Sequence, residues 1–540
     1  MAPYRTTERE EAAEAPRDQG IVGDVIAQFA DPLAFYRELV QNAIDAGSPA
    51  VHVSLAYDAG HVVVRVADRG GGMTRDILEN QLLVLFRSTK EKDPTKIGKF
   101  GIGFTSVLAT NPVLVVVSTV RDGKRLALHL RPDLTYELFD GGNATQAGTV
   151  VELELRITAE EAAAYARRSY EALEKWCRHA EVPVQFEANV PGLTTPLLGR
   201  IDRPFALDNA LLEISATSPD DQLRVVVGIE RDPRSYVGFF NRGLTLYETS
   251  TGLVGPLLSA KLKGGGLGHT LSRDNVRRDQ HYDAALAFAR ELARTELPRI
   301  ASTEQRAAAE AGDALRYAEL AQALLATGLE TSIDKWWVPL AVPTAGLRAM
   351  RVGEMPRPLR SVAQPTKLAT AFAAANVPVA LLPPDLTARL GAESLAEAFV
   401  RVEPIEPTPH DLTLVGELQQ ILEVCKRAPT RIELAELEGV HDTSLAISGG
   451  RQAARLLGDG DYVLARDAAS QSPLGKFSRG TLVLNVRHAL VVAARRSADP
   501  RVAASHLARV LLCGYGLLDA KRSERILARG LAALGIGGGT

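Results

Sequence analysis

The sequence predicts an α/β chain of several domains, with helices laid on sheets as in an α+β sandwich. Three observations carry that expectation. Apolar runs of period two alternate with runs of helical period, a glycine cluster stands directly behind one of the strands, and 540 residues exceed what one core organises at roughly 100–200 residues per domain. The composition, 46% hydrophobic and 24% charged, is that of ordinary globular chains rather than disordered or fibrous ones. Lys plus Arg is 62 against 65 for Asp plus Glu, a net charge of −3, and a nucleic-acid protein usually has a basic footprint instead. Cys177, Cys425 and Cys513 are too scattered for a disulfide framework or a metal cluster. The opening "MAPYRTTEREEAAEAPRDQG" has no apolar segment, and no run reaches the ~18 apolar residues of a membrane span. A cytoplasmic protein without a membrane partner is expected.

In chain order, residues 1–20 read as a charged tail. A first domain is expected over 21–183. In it, "VHVSLAYDAGHVVVRVAD" alternates on either side of Asp58-Ala59-Gly60 and reads as a hairpin. "NPVLVVVST" and "GTVVELEL" supply further strands, and "AEEAAAYARRSYEALEKWCRHA" supplies a long helix. A second α/β domain is expected over 184–300, from "VPVQFEANV" through "LRVVVGI" and "SYVGFFNRGLTLYE" to a helix after "LSRDNVRRDQ". The Ala-rich stretch 301–345 reads as a helical connector, and 346–540 as a mixed α/β region ending in Arg-bearing helices and a frayed "GIGGGT". His488, at the end of an apolar strand, reads as structural.

Chemistry concentrates in three short stretches. "RELVQNAIDAG" places Glu38, Asn42 and Asp45 on one helix face, because residues three or four apart lie one above another. "DRGGGM", residues 68–73, sets an acid at a strand end before three glycines, a turn where backbone takes positive φ or a ligand comes close. "GKFGIGF" brings Gly98, Gly101 and Gly103. That last string is neither a dinucleotide fingerprint nor a Walker loop, since no G-K-[ST] closes it, and taken alone it fits plain tight turns.

In this order, E-L-x-x-N-A-x-D-A, D-x-G-x-G and G-x-x-G-x-G resemble the motifs of the GHKL ATPases, the superfamily of gyrase, the ninety-kilodalton heat-shock chaperones, histidine kinases and MutL. The resemblance implies an N-terminal Bergerat-fold ATPase domain that takes ATP and Mg²⁺ and releases ADP. It makes Glu38 the general base, a role worth about 10²–10⁴ in rate, and Asn42 a hard oxygen ligand for Mg²⁺. Asp68 would accept the adenine amino hydrogen, Gly70 and Gly72 would let backbone approach the base, and Met73 would pack on it. Gly98, Gly101, Ile102 and Gly103, with Phe104 following, form the phosphate box, where a helix start favours anions. Thr149 matches a threonine that bonds near adenine, and Asp45 supports the site or stands as a surface carboxylate. The charged stretch between the boxes looks like a nucleotide lid, with Lys90 the lysine expected to touch ligand.

Within the superfamily the chain is most similar to the HtpG-type chaperones over about residues 30–300. "GHTLSRDNVRRD" resembles their middle-domain loop and makes Arg273 a catalytic arginine at the γ-phosphate, worth about 10³–10⁵ in rate. Arg277 stands where the family has glutamine, and Arg242 in "YVGFFNRGLTLYE" matches one family arginine. The expected function is therefore an HtpG-like chaperone ATPase, slow in turnover, acting on protein clients as a homodimer. The alternative is a MutL- or MORC-like ATP-dependent clamp or switch in nucleic-acid, defence or signalling work. Arg487, Arg495, Arg496, Arg501, Arg509, Arg522, Arg525 and Arg529 favour that second reading.

Overall fold

The computed structural model describes residues 31–83, 103–270, 275–329, 332–439, 441–449, 462–465, 481–514 and 516–536. Two compact units divide between Leu297 and Pro298.

The first unit is built on an eight-stranded sheet. Strands β1 (Val51–Asp58) and β2 (His61–Asp68) form the expected hairpin, antiparallel from Val51 opposite Asp68 to Asp58 opposite His61. Its two-residue turn has Ala59 at φ +47° and Gly60 at +86°, and positive φ at both positions is what matches such a turn to strand twist. Then come β3 (Leu114–Arg121), β4 (Lys124–Leu130), β5 (Tyr136–Asn143), β6 (Gly148–Leu155), β7 (Val184–Asn189) and β8 (Leu197–Ile201), in the sheet order β5-β4-β3-β6-β2-β1-β7-β8. Alternation of buried and exposed residues along β1 and β2 turns Val51, Val53, Leu55, Val62, Val64 and Val66 inward.

Helix α1 (Phe35–Asp45) follows a 3₁₀ turn whose first N–H groups are met by Asp31, which accepts from Leu33 N at 2.9 Å. Helix α2 (Ala159–Cys177) starts in a Thr158/Glu161 capping box, each side chain satisfying the other residue's backbone N–H. Apolar faces of both helices join the sheet's inner face in one core, the layered α/β arrangement expected. As a helical crossover, α2 returns the chain so that β7 lies parallel to β1, Val51 opposite Val184. The first sheet therefore runs past the domain boundary expected at 183 and ends at Ile201. Parallel pairing with a strand far back in the chain leaves no local mark, which is why "VPVQFEANV" reads as the start of a new domain.

A five-stranded sheet completes this unit: β9 (Ala210–Thr217), β10 (Leu223–Glu230), β11 (Tyr236–Asn241), β12 (Leu244–Thr249) and β13 (Ser259–Gly264), ordered β12-β11-β13-β10-β9. The β11–β12 turn has Arg242 at φ +48° and Gly243 at +79°. A Cβ on Gly243 would stand 1.6 Å from His179 O, so only glycine fits where this turn meets the residues after α2. The expected helix after residue 279 is α3 (Gln280–Ala311), which crosses from the first unit into the second and contains Pro298.

The second unit continues with α4 (Ala314–Thr327) and two five-stranded sheets. One begins with the strand Trp337–Thr344, inside the stretch read as a helical connector. The other carries helices Pro409–Val424, Ala489–Arg495, Pro500–Gly514 and Ala520–Ala533 on a separate apolar core. His488 caps one of them, its Nδ1 accepting from Leu490 N at 3.2 Å, the structural role expected. Among the described residues no helix is long and apolar enough to cross a membrane.

Candidate functional site

Helix α1 buries Leu39, Val40, Ala43 and Ile44 and leaves Asn42 and Asp45 exposed. Glu38 lies at the inner edge of that polar face, 4% exposed. Its Oε1 accepts from Arg37 Nη2 at 3.1 Å and Nε at 3.3 Å. Arg37, 1% exposed, lies with its guanidinium carbon 4.8 Å from the centroid of a Trp176 ring. Spacing alone gives no reason to single out Arg37 or Trp176; the one trace is an arginine set among the apolar positions of the helix. Asp45 receives Arg242 Nε from the β11–β12 turn at 3.4 Å, both side chains about half exposed, a pair that contributes little energy by itself.

Asp68 ends β2 at the foot of α1. Its Oδ1 accepts from Gly70 N at 2.7 Å and Thr149 N at 3.3 Å, while among the described residues Oδ2 takes no hydrogen bond. Burial raises its pKa above the usual carboxylate value, and the two N–H groups oppose that shift. The turn that follows is packed too closely for side chains. Gly71 N donates to Ala46 O at 2.9 Å, and a Cβ on Gly70 would stand 2.6 Å from that of Ala46. Gly72, at φ +66°, would bring a Cβ to 2.0 Å from Val120 O; on Gly148, at φ +142°, it would come within 2.3 Å of Asp68 O.

Hydroxyls tie this turn to the sheet. Thr119 Oγ1 accepts from Met73 N at 2.9 Å and lies 3.1 Å from Thr149 Oγ1 and 3.3 Å from Gly148 O. Fully buried Thr119 has no counterpart among the sequence expectations. Its signal was present: a threonine within the valine-rich "VVVST", facing Thr149 across the β3–β6 ladder. Met73 itself packs on the core edge. Glu38, Asn42, Asp68, Gly70, Gly72, Met73 and Thr149 all lie on the α1, β2–Met73 and β6 segments of the first unit.

Of the second glycine box, Gly103 precedes a 3₁₀ helix, Phe104–Thr110, with Phe104 in the core and Ser106 Oγ donating to Gly103 O at 2.6 Å. Lys90, Gly98, Gly101, Ile102 and Arg273 lie outside the described residues. Arg277, in the glutamine's place, donates Nε to Asp279 Oδ2 at 2.6 Å. Among the described residues no group of three or more His, Cys, Asp and Glu side chains could hold a metal. Magnesium usually needs only one or two protein oxygens beside phosphates and waters, and the exposed Asn42 amide fits that requirement.

Residues 36–138 match the family model described as histidine kinase-, DNA gyrase B-, and HSP90-like ATPase. The chaperone protein HtpG of Burkholderia lata is 30% identical over 182 residues, 28% of this chain and 28% of that protein. HtpG of Idiomarina loihiensis is 27% identical over 181 residues, again 28% of each chain. The DNA mismatch repair protein MutL of Opitutus terrae is 36% identical over 89 residues, 16% of this chain and 13% of its own. The chain thus matches little more than a quarter of the chaperones' length. The sequence resemblance to GHKL ATPases, with HtpG-type chaperones among the relatives, is found by both kinds of comparison.

Proposed function

We propose that the GHKL-type ATPase domain matched over residues 36–138 binds ATP between α1, the Asp68–Met73 turn and Thr149, and that hydrolysis there drives an HtpG-like chaperone acting on protein clients. The observation that carries this reading is the Asp68 carboxylate. One oxygen is held by two backbone N–H groups, and the other takes no hydrogen bond among the described residues, beside glycines that let backbone come close. A fixed, half-buried acceptor of this kind suits the exocyclic amine of adenine and rejects guanine's carbonyl at the same place.

Glu38 acts as the general base. Its carboxylate takes a proton from water as the water oxygen bonds to the γ-phosphorus; the bond to the β–γ bridging oxygen breaks, and ADP leaves with that electron pair. Arg37 keeps the carboxylate oriented. Asn42 holds the magnesium ion, which when bound neutralises phosphate charge. Arg273 and Lys90 complete the phosphate contacts in this proposal. The protein works as a cytoplasmic homodimer with slow turnover.

Calorimetric titration and phosphate release test the proposal together. Asp68→Asn, which puts a donor where an acceptor is needed, should weaken ATP binding by roughly 10–100-fold, as loss of a charged hydrogen bond does. Glu38→Ala should keep binding and lose at least about 10²-fold in turnover. Undiminished hydrolysis in Glu38→Ala would sink the mechanism.

The MutL match favours a second reading, an ATP-dependent clamp on nucleic acid. Against it, several arginines of the C-terminal helices are engaged within the chain. Arg487 bonds Glu436, Arg495 bonds Asp411 through two nitrogens, Arg522 bonds Leu517 O and Cys425 O, and Arg529 bonds Glu417. DNA binding that falls steeply with salt would reverse this preference.

A further inference from the structure

The end of α2 meets both α1 and the second sheet. On one side two cations lie over the Trp176 indole, the Arg37 guanidinium at 4.8 Å from its ring centroid and the Lys175 ammonium at 4.3 Å. Arg37 in turn donates two hydrogen bonds to Glu38. On the other side the last turn of α2 and the two residues after it are bound to the second sheet. Thr245 Oγ1 donates to Lys175 O at 2.8 Å, Arg178 Nη2 donates to Glu248 Oε1 at 2.8 Å, and Lys261 Nζ lies 3.0 Å from His179 Nε2. Trp176 is therefore carried on a turn held from both sides, with its ring face against the arginine.

We propose that Trp176 is a positioning residue for Glu38: its ring face braces Arg37, and Arg37 holds the Glu38 carboxylate where it meets the attacking water. The proposal rests on the reading of Glu38 as the general base. Trp176 touches no substrate in this scheme, so its removal acts on the chemical step and leaves nucleotide affinity alone. A cation over a desolvated indole face is attracted by the ring quadrupole, and phenylalanine or tyrosine keeps that face while leucine does not. Without the ring, Arg37 loses one of the contacts that hold it, and the fraction of molecules with Glu38 aligned falls.

Steady-state hydrolysis and ATP titration of the full chain carrying Trp176→Leu, Trp176→Phe, Arg37→Met and the Arg37→Met/Trp176→Leu pair form the test. Trp176→Leu should lower kcat roughly tenfold with ATP affinity within about twofold, and Trp176→Phe should restore most of the rate. On an Arg37→Met background the leucine substitution should have no further effect, because the brace has nothing left to hold. Equal loss in the phenylalanine and leucine variants, or effects that multiply in the pair, would overturn the proposal. Glu38→Ala run alongside separates the two ideas. If it still hydrolyses ATP, the base assignment fails and this inference with it; if it does not, a Trp176 result of the wrong kind removes the inference alone.

Discussion

Gly72 sits at φ +66° with Val120 O only 2.0 Å from where a Cβ would be, so alanine there must push the β3 backbone away. Gly60, at φ +86°, meets nothing within 4 Å and isolates the conformational part of the cost, roughly 1–2 kcal/mol. Gly72→Ala should therefore lower the first unit's thermal midpoint by more than the ~2–4 °C per kcal/mol that Gly60→Ala implies, and should also weaken ATP binding. Differential scanning calorimetry of the two variants checks the order; equal midpoints would show that the turn relaxes freely. The spacings on which the proposed roles of Glu38, Asn42, Asp68 and the glycines rest were readable in the sequence, since each lies within one helix or one turn. Thr119, Arg37 and Trp176 were not, since what each does depends on a partner brought in by the fold: Met73 N for Thr119, and Arg37 for Trp176.

The junction between α2 and the second sheet is a buried polar cluster. His179 is 5% exposed and Lys261 1%; Lys261 also donates to Asp208 Oδ1 at 2.9 Å. Burial first, and then the neighbouring Lys261 ammonium, lower the His179 pKa to about 4. The folded state thus holds this histidine neutral, while the unfolded chain protonates it near 6.5. Because the unfolded state binds the extra proton, the stability is fully present above about pH 6.5 and is lost as pH falls toward 4, by up to about 3 kcal/mol. Urea unfolding of the full chain across that range should show the loss, and His179→Gln should flatten it; an unchanged slope would place the titration elsewhere. At this scale "SYVGFFNRGLTLYE", which reads as one strand, folds into two joined at Arg242-Gly243, while the hairpin at Asp58-Ala59-Gly60 is written locally, as period-two runs broken by a turn pair. The attachment of β7 and β8 to the first sheet is not, because a strand's neighbour is chosen by topology and not by its own alternation.

Each unit of the chain has its own apolar core. Only the first contains Glu38 and Asp68, so a non-hydrolysable ATP analogue should raise one calorimetric transition and leave the other in place. At a hundred times its dissociation constant the ligand adds about 2.7 kcal/mol to the unit that binds it. A shift of both transitions would mean that the nucleotide acts on the whole chain. The parallel pairing of β1 with β7 also governs where the chain tolerates being cut. A fragment stopped at the end of α2 would leave the Val51–Asp58 backbone bare along one side, a long edge offered to any passing molecule, and would clump. One stopped beyond Ile201 would keep that edge covered by its own next two strands and stay dispersed.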